Sequence, residues 1–568
     1  RVGVPESFFD IGGNSLSAMR LAARAAEVLG VEVSVRDIFD APSVRELVSA
    51  TTGHGAALAP IVKADPRPAR IPLSFAQQRM WFINQLDPSL PTYNIPAVLR
   101  LTGDLDVDAL RRAVVDTVER HEVLRTTFPI VDGLPYQRVD DIALFETRGI
   151  WQVVATDDEL FAAVAEGFDV TSGWPIRVAL RDPSPGGSAP QGTGVDASAP
   201  AGTGKGSASG EYLLGVVLHH IGADAESLLP LVTDIVTAYT ARAQGISPTW
   251  TPLEVQFADF AIWQHDVLGA ADDAESVIGR QLGYWREQLV GLPDVLELPA
   301  DRPRPPVASY RGADLAFAIP ADVAADVTRV AGSHGVTPFM VVHAAFAALL
   351  ARVTATDDIA VATPVAGRGQ AVLDPLVGMF VNTLVLRTAV NSGENFAQLL
   401  DRVRVSDLDA FAHADVPFES VVEAIDPVRS EAFSPLAQVM LSFDPGASVS
   451  GADTVLAGLE ISAVEPPVVA AQLDLRMVVS SADPGSPWSG VATYATDLFD
   501  EQSMAALAER FVRLLGALVA DPSVPVGDAA LLGEAERANI IDHSVGAGTV
   551  VPAGTVADAL VAQAVRSP

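Results

Sequence analysis

At 568 residues and about 150 residues per domain, the chain has room for three or four domains. Its 71 Asp+Glu outnumber 37 Lys+Arg, and the formal net charge of −34 argues against nucleic acid and against anionic membrane surfaces as partners. With zero Cys, disulfide scaffolds, thiolate metal centres, iron–sulfur clusters and a cysteine nucleophile are excluded.

The N-terminus, Arg1-Val2-Gly3-Val4-Pro5, has no initiating Met and matches neither a signal nor a transit peptide, so the chain reads as a cut from a longer polypeptide. In the opening segment Leu16, Met19, Ala22, Ala26 and Leu29 recur at helical steps before Gly30, which predicts one amphipathic helix. A second, short helix is expected after Ser43, from Val44 to Val48. Thr51 to Arg70 is weakly periodic and Pro-bearing, a linker. From Ile71 onward helical and strand-like runs alternate. Val107 to Glu119 and Leu228 to Tyr239 have helical spacing, and Tyr212 to Leu218 reads as a buried strand. Asp182 to Gly210 is almost all Gly, Ser, Ala, Pro and Thr, and is expected to be a disordered loop inserted between the strand-like runs Pro175–Leu180 and Tyr212–Leu218. Leu298 to Pro306 is expected to be extended. Thr337-Pro338 opens a helix through Phe346 and Leu350. After Asp521 the pattern is irregular up to a helical stub at Val556 to Val565. No apolar run reaches about 18 residues, so no membrane-spanning helix is expected. Mixed α/β with a largely buried sheet is the class these patterns imply.

Three groups of residues are candidates for chemistry. In Phe9-Asp10-Ile11-Gly12-Gly13-Asn14-Ser15-Leu16, two glycines precede a Ser at a helix start. That Ser is either exposed for modification or a plain N-cap. In Leu218-His219-His220-Ile221-Gly222-Ala223-Asp224, two adjacent His end a buried strand. Alternation along a strand sends them to opposite sides, so only one readily enters a given cavity. A His there can take or give a proton near neutral pH. Two satisfied structural imidazoles are the competing reading, and a metal pair is disfavoured by the opposed faces. Arg125 and Arg387 border apolar segments, and a buried Arg needs a carboxylate. Asp224 is the expected partner, with Arg125 as first choice.

Taken in order, these pieces resemble a nonribosomal peptide synthetase, with a peptidyl carrier domain followed by a condensation domain. Phe9 to Leu16 resembles the carrier motif, Ser74 to Phe82 (SFAQQRMWF) the first condensation motif, Arg120 to Phe128 (RHEVLRTTF) the second, and His219 to Asp224 the HHxxxD core. Phe257 to Trp263, Val377 to Thr383, Asp415 to Glu419, and Arg429 with Pro435-Leu436 resemble those that follow. The resemblance implies a carrier at 1–53, a linker at 54–70, chloramphenicol-acetyltransferase-like lobes at 71–246 and 247–526 forming a V, and the start of an adenylation domain at 527–568. It implies 4′-phosphopantetheine on Ser15, with His220, His219 and Asp224 as the catalytic set and Arg125 and Arg387 supporting it. The implied reaction is amide formation between carrier-bound thioesters, of the type joining an L-donor to an L-acceptor. Within that set His220 would handle or position the amine proton, while His219 and Asp224 would be structural. Implied partners are upstream and downstream carrier and adenylation domains, aminoacyl and peptidyl thioesters and a phosphopantetheinyl transferase, in the cytoplasm. Ala225 stands where the family usually has Gly. If that position needs a positive φ, the domain would instead be a catalytically impaired interaction platform.

Overall fold

The computed structural model describes residues 3–567 apart from Asp10, His54, 183–209, 445–453, Ala457, 466–468, 482–484 and 545–553. The expected Asp182–Gly210 insertion therefore lies, but for its ends, outside the described residues. The runs that flank it are strands Ile176–Arg181 and Gly210–His219, paired antiparallel from Ile176↔Leu218 to Arg181↔Leu213.

The first ~50 residues fold as helices Ser15–Leu29, Val35–Asp40 and Val44–Ala50, each opened by a reciprocal side-chain cap at Asn14, Ser34 and Ser43. Gly30 closes the first helix at φ +68°. The helix Val35–Asp40 has too few residues for a periodic signal and was not expected.

Among the described residues two large sheets, with two small two-stranded ones beside them, form the rest. The first is six-stranded, in the order Thr454–Leu456, Leu459–Val464, Asn94–Gly103, Gly210–His219, Ile176–Arg181, Trp151–Val154. Its core includes the apolar stripes of helices Val107–Arg120 and Leu228–Ala243, which pack on each other. The second is seven-stranded, in the order Asn382–Ala389, Asp358–Val365, Val439–Asp444, Leu475–Ser480, Trp488–Ala495, Arg311–Ile319, Val469–Ala470. Helices Ala321–His334, Pro338–Thr354, Phe396–Ala412 and Glu501–Ala520 bury their apolar faces in its core. Strand alternation divides Leu475–Ser480: Leu475, Met477 and Val479 join that core, whereas Arg476, Val478 and Ser480 face the other way.

The lobes are not sequential blocks. Strand Leu459–Val464 leaves the second half of the chain and pairs with Asn94–Gly103, from Val98↔Val464 to Thr102↔Glu460. Gly103, at φ +142°, passes so close to the Gly458 carbonyl that an added Cβ would lie 2.9 Å from it. The strand that ends at His219 thus belongs to a sheet that both halves of the chain complete.

The three N-terminal helices dock on the second lobe. Ala18, Ala22, Val35, Ile38 and Phe39 are continuous with its core. Arg36 pairs with Asp409 at 2.6 Å, Arg404 with Asp40 at 2.9 Å and Arg24 with Asp374 at 2.7 Å. These exposed pairs contribute little each and mainly fix orientation.

Candidate active site

Strand Gly210–His219 delivers both histidines at its C-terminal end. His219 is 3% exposed. Its Nδ1 accepts the Ile221 N–H at 3.1 Å, and its ring meets Phe168 edge-on at 5.8 Å. Burial, with the neighbouring His220 charge, lowers its pKa to about 3. The ring is a neutral structural plug.

Because its folded pKa is depressed, His219 binds protons more readily in the unfolded chain once pH falls below 6.5. Stability should therefore fall with pH between 6.5 and about 3, at about 1.4 kcal/mol per unit for this one group. Thermal midpoints of wild type and His219→Gln against pH check this. The variant should show the shallower acid limb, and parallel curves would rule the assignment out.

His220 is half-buried. Its backbone N–H donates to the Tyr93 carbonyl at 2.9 Å, while its Nδ1 is buried with no hydrogen-bond partner among the described residues. Burial pulls its imidazole below the ordinary histidine range, the charges of Arg476 and Arg79 push the same way, and Asp224 opposes them. At neutral pH it is an uncharged ring with an uncommitted nitrogen.

Asp224 is the reverse, 2% exposed and fully engaged. Its Oδ1 accepts the Ser227 N–H at 2.9 Å, the Ser227 hydroxyl at 2.6 Å and Arg368 Nη2 at 3.0 Å. Its Oδ2 accepts the Phe380 and Val381 N–H groups at 2.9 and 3.2 Å. Arg368 is anchored in turn, with Nη1 donating to the Leu373 and Leu376 carbonyls at 2.7 and 2.9 Å and its guanidinium over the Phe380 ring at 4.2 Å.

The expected supporting arginines are elsewhere. Arg125 donates to the Asp140 carbonyl at 2.5 Å. Arg387 forks onto Asp358 at 2.8 and 2.7 Å and onto the Gln288 and Val290 carbonyls. Both are committed to their own surroundings, and Arg368 takes the role foreseen for them. It arrives from the turn after strand Asp358–Val365, where Gly367, at φ +65°, runs against the Phe380 carbonyl so tightly that a Cβ would sit 1.9 Å from it. The signal was Gly367-Arg368-Gly369, an arginine in a glycine turn after an apolar strand.

Ala225 opens the short turn Ala225–Ser227, is exposed, and is absent from the left-handed region. The usual Gly is not required by the backbone here. Other motifs converge on the same place. Glu419 pairs with Arg79 at 3.2 Å, and Phe257 packs against Phe380 at 5.0 Å. The described residues hold no cluster of three metal-ligating side chains, and no single described helix is long and apolar enough to cross a membrane.

Ser15 opens helix Ser15–Leu29 but does not cap it. Asn14 does, accepting the Ser17 N–H at 2.9 Å. Gly12, at φ +98°, and Gly13, whose Cβ would lie 2.3 Å from the Phe8 ring, need to be glycine. Beside Asn14 a cavity of about 60 Å³ runs between Phe339, Thr363, Phe411 and Ser442. Ser442 Oγ is buried there without a partner among the described residues. A helix N-terminus that suits a phosphate, beside an orphaned hydroxyl that an amide could satisfy, fits a phosphopantetheine on Ser15.

The sequence profile of the condensation domain matches residues 69–185 and 206–541, and that of the phosphopantetheine attachment site matches residues 1–50. The chain is 43% identical over 98% of its length to the probable non-canonical nonribosomal peptide synthetase CymA of Salinispora arenicola (strain CNS-205), and spans 7% of that protein. It is 39% identical over 95% of its length to the dimodular nonribosomal peptide synthase of Bacillus subtilis (strain 168), and spans 22% of it. Among solved structures, the X-domain from teicoplanin biosynthesis superposes with a TM-score of 0.72 at 30% identity, over 83% of this chain and all (100%) of that one. The four-domain nonribosomal peptide synthetase holo-AB3403 superposes at 0.66 and 23% identity, over 82% of this chain and 34% of that one, a likeness of fold. With a buried HHxxxD loop between two such lobes and an N-terminal helix paired to that loop through Arg20 and Glu226, the chain belongs to the condensation-domain family of nonribosomal peptide synthetases, preceded by a phosphopantetheine-binding carrier.

Proposed function

We propose that this chain forms an amide bond between the acyl group of a donor thioester and the α-amine of a carrier-bound aminoacyl acceptor. The observation that carries the reading is the contrast at the site: Asp224 has its oxygens filled, whereas His220 keeps a buried, unpartnered Nδ1. When bound to Ser15, 4′-phosphopantetheine would supply the thiol that holds the donor acyl group.

The amine has an ordinary pKa of about 8, so no strong base is required. The neutral His220 ring accepts or hydrogen-bonds the amine proton and orients the nitrogen. His219 and Asp224 hold the loop that presents it. Docking of helix Ser15–Leu29 on the second lobe supports a donor role for this carrier, because tethering keeps the local concentration high. Partners on this reading are a downstream acceptor carrier, adenylation domains that load the carriers, and a phosphopantetheinyl transferase.

The test is direct: load the chain with an aminoacyl group, mix it with a loaded acceptor carrier, and look for the amide by mass spectrometry. Product is expected on the acceptor; its absence with both carriers verified as loaded would overturn the reading. The attachment site has its own check. Coenzyme A and a phosphopantetheinyl transferase should raise the mass of the wild type by one phosphopantetheine and leave Ser15→Ala unchanged. A mass increase in the variant would move the site off Ser15.

A further inference from the structure

Arg476 is a charge that the fold leaves unanswered. It has no hydrogen bond, ion pair or ring contact among the described residues, and its side chain is exposed on the face of strand Leu475–Ser480 opposite the helix-packed core. Most arginines of the second lobe are held: Arg304 by Asp474, Arg387 by Asp358, Arg402 by Glu394, Arg404 by Asp40. Across the sheet Arg476 faces Met440 on one side and Thr493 on the other, and Thr493 faces Asp314. Asp314 stands two strands away, about 10 Å by ordinary sheet spacing. Its Oδ1 is taken by the Thr493 hydroxyl at 2.5 Å.

The place of Arg476 is as informative as its lack of a partner. Gln472, just ahead of this strand, donates to the Thr92 carbonyl at 3.1 Å, and the next carbonyl, that of Tyr93, accepts the His220 N–H at 2.9 Å, so the start of the strand lies beside the histidine loop. Ser442, which lines the cavity beside Asn14, pairs in register with Val478, one strand over and two residues on from Arg476. Ser442 thus marks the Asn14 end of this face, and Arg476 lies nearer the Gln472 end, which meets the histidine loop. An acyl group that ran along this face from the cavity beside Asn14 to the histidine loop would meet the guanidinium.

We propose that Arg476 is a specificity-determining residue that recognises a carboxylate on the donor acyl group, such as the side chain of an acidic amino acid. This rests on the reading of Ser15 as the donor carrier. A guanidinium presents two parallel N–H donors that match a carboxylate. A neutral amide of the same shape accepts one such hydrogen bond and returns no charge.

The experiment compares aspartyl and asparaginyl donors on the full chain. Equilibrium binding of the two non-reactive aminopantetheine amides is measured first, then amide formation from the two donors loaded on Ser15. The wild type should prefer aspartyl roughly tenfold in binding, the range expected for a charge-assisted pair. Arg476→Gln should erase the ratio, and Arg476→Lys should keep part of it. Equal binding by the wild type, or a ratio that survives Arg476→Gln in a variant with wild-type thermal midpoint, overturns the proposal. A binding preference with no amide from either donor would sustain it while overturning the proposed reaction.

Discussion

His220→Ala should abolish amide formation from loaded carriers by about a hundred- to ten-thousand-fold, the range for loss of a positioned acid–base group, with the fold intact. The fold argument follows from the hydrogen bonds. The ring nitrogen Nδ1 has no partner to orphan, and the bond to Tyr93 is made by the His220 backbone, which alanine keeps. His219→Ala should do the opposite. It strips the acceptor from the Ile221 N–H and leaves a hole beside Phe168, so stability falls by about 1–3 kcal/mol for the orphaned donor alone. Amide yield and thermal midpoint, measured on both variants, separate the roles. A His220→Ala variant with undiminished product would remove that ring from the mechanism. If His219→Ala kept its midpoint but lost activity, the two histidines would have to exchange roles. The pH profile offers a further mark. His220 is held below the ordinary histidine range by burial and by Arg476 and Arg79. It should stay neutral into mildly acidic pH, leaving the amine to set the dependence near neutrality.

What the residues announce by themselves is local. Thr337 and Pro338 mark a helix start because capping and a fixed φ act within one turn, and the helix runs Pro338–Thr354. The continuous apolar run before His219 marks a strand because both its faces are buried, and it runs Gly210–His219. Remote pairings leave no such trace. Nothing in Leu459–Val464 says that it completes a sheet with Asn94–Gly103. The arginine opposite Asp224 is 144 residues away, and spacing along the chain favoured Arg125 only because it bordered a strand. Helix Glu534–Ser544 was hidden for another reason. It has no buried residue and hence no apolar stripe to betray it. The family resemblance put the carrier ahead of the condensation domain, as the matched ranges do, but which side chain answers Asp224 is a property of packing.

Arg368→Met should both destabilise the second lobe's contact with the histidine loop and remove activity. Arg368 and Asp224 are each 2% exposed at the side chain, and breaking a buried pair from one end costs about 3–5 kcal/mol because the remaining charge is stranded. Asp224 keeps its bonds from Phe380, Val381 and Ser227, which places the expected loss nearer the lower bound. Arg368→Lys should rescue little, since one ammonium cannot span the Leu373 and Leu376 carbonyls and Asp224 together. The loop also receives the carrier at this point. Glu226 pairs with Arg20 of the carrier helix, and its other oxygen lies 3.8 Å from Arg368 Nε. Asp224→Asn distinguishes a holding role from a chemical one. If Asp224 holds the loop, Asn should lower the thermal midpoint and activity together, and the double variant with Arg368→Met should be less destabilised than the two losses summed. If Asp224 were the base, Asp224→Asn would lose activity with its midpoint unchanged. Its oxygens are already taken by donors of the fold, so the first outcome is the expected one.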